Sequence, residues 1–135
     1  QFRLIVEIAS PEQRVSTRRE GDFGMLDADL ATPLSLVINE LVTNAVEHGL
    51  AHRDGEVALV AKRYKGADSK DWLRVVIEDD GHGLPEEPRR EGLGLQIVRT
   101  LVTSELSGEI RWLQGEKGGT KVVIDMPLDL DRRTA

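Results

Sequence analysis

Glu40 and Asn44 stand four positions apart, and His48 follows at the same interval. On a helix this spacing stacks the three side chains into one polar column. A carboxylate there can take a proton as a general base, and an amide oxygen can ligate a hard cation. The same pattern also lies along ordinary solvated helix edges, so alone it leaves both readings open. A second group is Asp79-Asp80-Gly81-His82-Gly83. An acid delivered by a strand into two glycines sits where backbone can approach a ligand closely. A recessed carboxylate accepts a hydrogen bond from an exocyclic amine; adenine offers a donor there and guanine an acceptor. The alternative is an acidic turn.

Gly92-Leu93-Gly94-Leu95 opens an amphipathic run. Glycines before a helix expose N–H groups at the positive end of the helix dipole, which suits phosphate. The spacing is neither a Walker loop nor a Rossmann fingerprint. Gly118-Gly119-Thr120 is the fourth group. Paired glycines let backbone pass close to a base and Thr120 adds a hydroxyl, although a plain hairpin turn has the same composition.

The periodicity supplies the elements that must hold these residues. Period-two alternation predicts strands at Phe2 to Ile8 and Arg14 to Arg19. Thr32-Pro33 reads as a helix start, with Thr32 as cap. Leu34, Val37, Ile38, Leu41, Val42 and Ala45 give that helix one apolar face to about Glu47, and Gly49 is placed to stop it. Strands follow at Glu56 to Lys65 and Trp72 to Glu78, the second apolar on both faces. A loop covers Asp80 to Glu91. Leu95, Val98, Leu101, Val102 and Leu106 mark a second helix. Glu109 to Leu113 and Lys121 to Met126 are the last strands, with a hairpin-like turn between them and a polar tail from Asp129. This order predicts an α/β (α+β) domain, with helices on one face of a mixed, mostly antiparallel sheet.

The 135 residues are one domain's worth of chain. A 39% hydrophobic and 31% charged composition reads as globular rather than disordered. No run is apolar enough to span a membrane, and nothing resembles a signal peptide. There is no cysteine, which excludes disulfide scaffolds and thiolate metal sites and fits a cytoplasmic setting. A net charge of -6 argues against general nucleic-acid binding. Of the 13 glycines, eight fall between Gly81 and Gly119, and five of them (Gly81, Gly83, Gly92, Gly94 and Gly119) stand where backbone would bend around or lie against a ligand. The chain opens on Gln1 rather than Met, which points to a piece of a longer protein.

Taken together, Glu40-x-x-x-Asn44, Asp79-x-Gly81-x-Gly83, Gly92-x-Gly94 and Gly119-Thr120 resemble, in order and register, the GHKL superfamily of gyrase, Hsp90, histidine kinase and MutL type. Within it, the stretches Ala31 to Leu36, Glu40 to Gly49 and Gly92 to Arg99 are similar to sensor histidine kinases with a HisKA_2-type dimerisation domain, and to an actinobacterial cytosolic type in particular. The resemblance covers Arg14 to Pro127.

It implies a Bergerat fold, a two-layer sandwich that holds ATP under a lid. Asp79 would take the adenine amine, aided by Thr120 and a water, and Asn44 would ligate Mg²⁺. Gly81 would belong to the same base site. Gly83, Gly92, Leu93, Gly94 and Leu95 would form lid hinges and phosphate-contacting backbone. The lid would be Pro85 to Glu91, with Arg89 or Arg90 on the γ-phosphate, and His48 would lie beside the nucleotide. Glu47 stands where the family commonly has Lys. Glu40 would be the catalytic base. The implied activity is ATP-dependent phosphotransfer to a histidine on the protein's own dimerisation domain, followed by a response regulator, in a homodimeric full-length protein. His48, His52 and His82 all lie in or next to the nucleotide motifs, so the phosphoacceptor is expected outside this stretch. The competing readings are an anti-sigma-factor serine kinase and a non-catalytic nucleotide-binding module.

Overall fold

Strand β3 (Asp71–Asp79) shows how the sheet divides its two faces. Leu73, Val75, Ile77 and Asp79 are buried, while Arg74, Val76 and Glu78 between them point to the other side. Successive strand residues alternate faces, so one face of β3 belongs to the core. The computed structural model describes residues 15–49, 54–81, 93–116 and 118–128. The strand expected at Phe2 to Ile8, most of the loop with the lid, and the polar tail lie outside them.

Around β3 are β1 (Val15–Gly21), β2 (Gly55–Lys65), β4 (Glu109–Gln114) and β5 (Thr120–Pro127). The spatial order is β1-β2-β3-β5-β4. β1 runs parallel to β2, and the other three pairings are antiparallel. Helix α1 (Ala28–Asn44) continues as a π-helical turn, Ala45–Gly49. Helix α2 (Leu93–Thr100) continues likewise through Leu101–Glu105. Val57, Leu59, Val75, Ile77, Val122 and Ile124 of the sheet share one core with the two helices. The helices therefore cover one face, as expected. The predicted helical stripes are the ones that pack: Leu34, Val37, Leu41 and Val42 of α1, then Val98, Val102 and Leu106.

One boundary differs. Helix α1 begins four residues before Thr32, with the N–H groups of Leu30 and Ala31 bonded to the Asp27 carbonyl at 2.9 and 2.8 Å. Thr32 is thus a helical residue and Pro33 sits in the second turn. A proline there brings no N–H to the ladder, and the residue before it is biased away from helix. Leu30, only 3% exposed, lies one turn before Leu34 and extends the apolar stripe into the core. Its burial outweighs the local preference of Thr32-Pro33.

The face of the sheet opposite the helices carries its own polar centre. Asp125 of β5 accepts Arg74 Nε at 2.8 Å, Arg74 Nη2 at 3.2 Å and the Tyr64 hydroxyl at 2.8 Å. Arg111 adds an ion pair at 3.5 Å. Burial pushes the Asp125 carboxyl up, but these donors together hold it below the ordinary aspartate range.

Candidate functional site

Asp79 ends β3 on its core face and is 4% exposed. Its Oδ1 accepts the Gly81 N–H at 2.9 Å and the Thr120 N–H at 3.4 Å. Among the described residues, nothing is bonded to its second oxygen. Burial raises the Asp79 pKa; the Gly81 and Thr120 N–H groups oppose this, and the Asp80 and Glu78 charges reinforce it. A buried carboxylate oxygen with no donor is costly unless a ligand supplies one.

Gly119 makes this arrangement possible. A Cβ there would overlap the Asp79 carbonyl and come within 2.6 Å of Asp79 Oδ1. The glycine expected from the sequence is thus required by close packing of two backbones. Thr120 reaches Asp79 through its backbone N–H, not the hydroxyl that drew attention in the sequence. The second and fourth motifs, 40 residues apart along the chain, meet because β5 lies beside β3.

The first and third motifs meet as well. Glu40 lies half-buried on α1. A Cβ on Gly94, in the first turn of α2, would overlap the Glu40 carboxylate. Glu40 thus lies against the start of the helix that the glycine run was expected to open. Leu95 packs partly buried against the core, while Leu93 is 72% exposed. Asn44 is half-buried and closes α1. Glu40 and Asn44 stand one turn apart on one side of α1. The backbone then passes into the π-helical turn Ala45–Gly49. At the junction the Ala45 N–H still bonds the Leu41 and Val42 carbonyls, four and three residues back.

Gly83, Arg89, Arg90 and Gly92, and with them His52 and His82, lie outside the described residues. Sequence reasoning missed Glu78, which accepts the Glu116 N–H at 3.0 Å across the β4–β5 turn. Its only sequence signal is its place next to Asp79, on the opposite face.

A nucleotide fits the residues present. The Asp79 oxygen that takes no bond among the described residues matches an exocyclic amine, and Gly119 adds no side chain beside Asp79. Among the described residues no group of three His, Asp or Glu side chains could cage a metal. A magnesium ion held by Asn44 would complete its shell with phosphate oxygens and water, which is how that ion usually binds beside a nucleotide.

Residues 29–130 match the family described as "Histidine kinase-, DNA gyrase B-, and HSP90-like ATPase". The chain is 43% identical over 130 residues to the sensor histidine kinase PdtaS of Mycobacterium tuberculosis, across 93% of this chain and 25% of that protein. It spans about a quarter of the length of such curated relatives. It superposes on the histidine kinase domain of the Erythrobacter litoralis EL346 blue-light activated histidine kinase with a TM-score of 0.77 and 32% identity, across 94% of this chain and 61% of that one. The anti-sigma F factor of Clostridium novyi is more distant, 26% identical over 111 residues, across 72% of this chain and 71% of that protein. The chain belongs to the family of histidine kinase-, gyrase B- and HSP90-like ATPases, and its similarity within that family runs to the catalytic domains of sensor histidine kinases.

Proposed function

We propose that these 135 residues form the ATP-binding catalytic domain of a two-component sensor histidine kinase, one domain of a longer protein. Its reaction moves the γ-phosphate of ATP to a histidine on a separate dimerisation domain. The observation that carries the reading is Asp79, 4% exposed, whose Oδ1 takes the Gly81 and Thr120 N–H groups and whose second oxygen takes no bond among the described residues. Asp79 accepts the adenine amine and so selects ATP over GTP.

Glu40 acts as general base toward the attacking imidazole, its carboxylate lying against Gly94 at the start of α2. Backbone of Gly92, Leu93, Gly94 and Leu95 lies along the phosphates, where N–H groups and the helix dipole favour negative charge. Asn44 holds the bound Mg²⁺, which supplies charge neutralisation for the transferring phosphoryl group. Arg89 or Arg90 contacts the γ-phosphate, His48 lies beside the nucleotide, and Gly83 with Gly92 hinges the lid. The partners are the protein's own dimerisation domain and a response regulator, in a homodimer; the setting is cytoplasmic, and this domain binds neither nucleic acid nor membrane. No helix among the described residues is long and apolar enough to cross a membrane.

Calorimetric titration with Mg-ATP tests the reading, with Asp79→Asn as control. Wild type should bind, and the variant should bind about 10- to 100-fold more weakly, the worth of a hydrogen bond to a charged group. The chain alone should not become phosphorylated on histidine. No heat, together with no ATP-dependent rise in melting temperature, would remove the proposal.

A further inference from the structure

We infer that Glu78 is a positioning residue for base recognition: it clamps the β4–β5 turn so that Gly119 and Thr120 stay seated on Asp79. The inference rests on the ATP reading of the Asp79 site.

Glu78 and Asp79 are consecutive in an extended strand, so their side chains leave opposite faces of the sheet. Both reach the same turn. Asp79, on the core face, accepts the Thr120 N–H and abuts Gly119. Glu78, on the opposite face, accepts the Glu116 N–H through Oε2 at 3.0 Å. That oxygen also crowds Gly115, where a Cβ would come within 3.1 Å of it. Lys121 is the cross-strand neighbour of Glu78, yet the hydrogen bond runs to the backbone of the turn instead.

Inside the turn, the Gly115 N–H donates to the Gly119 carbonyl at 2.6 Å, and the Gly118 N–H to the Gly115 carbonyl at 3.2 Å. Gln114 Nε2 reaches the Gly118 carbonyl at 3.1 Å. Gly118 has a φ of +93°. The turn is rich in glycine, and glycine backbone is costly to order. Its internal bonds set its shape, whereas Glu78 fixes that shape to the end of β3. Without Glu78 the turn is tied to the end of β3 by the long 3.4 Å bond from Thr120 to Asp79 and by the β3–β5 pairing that starts at Glu78 and Lys121.

The charge of Glu78 acts in the other direction. It raises the Asp79 pKa, so removing that charge alone would favour the ionised Asp79 that accepts an amine. A loss of ATP binding on removing Glu78 must therefore come from the lost acceptor. Glu78→Gln removes the charge and keeps an oxygen acceptor, while Glu78→Ala removes both.

The test compares Mg-ATP with Mg-inosine triphosphate, which carries a carbonyl in place of the adenine amine, by calorimetry on wild type and both variants. Glu78→Ala should weaken ATP about fivefold, a fraction of one charged hydrogen bond, and leave inosine triphosphate unchanged. Glu78→Gln should keep the wild-type preference. A merely less stable fold would lower both affinities together. An unchanged ATP preference in Glu78→Ala, or equal damage by Gln and Ala, would overturn the inference and leave the ATP reading intact. Wild type that fails to bind ATP, or binds both nucleotides equally, would overturn both. Should Glu78→Ala not fold, Glu78→Asp withdraws the acceptor by one methylene and is expected to show the same selective loss.

Discussion

Gly94 lies so close to Glu40 that a single added methyl group would overlap the carboxylate. The two residues come from different helices. The obstacle is the end of a flexible side chain, so in Gly94→Ala the Glu40 carboxylate should swing aside, at the cost of about 0.5–1.5 kcal/mol of an unfavourable rotamer, and leave its place for chemistry. The cost should largely vanish in the Glu40→Ala background, where the obstacle is gone. Thermal melts of the two single variants and the double variant give the coupling; strict additivity would show that Gly94 does not position Glu40.

Glu40→Gln separates chemistry from binding. Loss of a general base should lower phosphotransfer to a supplied dimerisation domain by about 100-fold or more. The Mg-ATP dissociation constant should stay within about twofold, since the side chain keeps its size. The two measurements are radiolabel transfer and calorimetry. Equal losses in both would make Glu40 a structural residue.

Asp79 predicts an acid limb in nucleotide binding. Its folded pKa is raised, chiefly by burial. A protonated carboxyl loses acceptor capacity toward an amine, so ATP affinity should fall as pH drops through a range above that of ordinary aspartate. The stability effect has the opposite sign. A raised pKa means the ionised form is disfavoured in the folded state, so the nucleotide-free protein gains stability as pH falls through the folded value. Asp79→Asn should accordingly melt higher than wild type at neutral pH while binding ATP worse. Paired melting and titration curves across pH check both signs.

Asp125 predicts the reverse. Arg74, Tyr64 and Arg111 outweigh burial and hold its folded pKa down. Its contribution to stability is present above the ordinary aspartate pKa and is lost as pH falls through the lower folded value. Asp125→Asn should lower stability at neutral pH by about 1–3 kcal/mol, because Arg74 and Arg111 lose a charged acceptor. It should also flatten the acid loss in denaturant melts. ATP binding should not change, since Asp125 lies on the face of the sheet opposite the helices.

The apolar stripes of both helices were legible in the sequence because burial repeats locally: Val37, Leu41, Val98 and Val102 fall on faces that period 3.6 identifies. The strands were legible from the same kind of repeat at period two. The start of α1 was misread, because Thr32-Pro33 is a local signal and Leu30 answers to the core. The π-helical turn that follows α1 has no mark in the side-chain spacing.

The sequence by itself determined the inventory: the acids, the amide and the glycines of four motifs, in an order that resembles one superfamily. Only the tertiary structure decided how they pair. The sheet order places β5 between β3 and β4, which brings Gly119 and Thr120 to Asp79 and the Glu116 N–H to Glu78. Packing of α2 on α1 brings Gly94 to Glu40. These contacts join residues about 40 to 50 positions apart, as non-local strand order and helix packing do. Periodicity reports which face of an element is buried; it carries no information about which distant backbone will lie against that face.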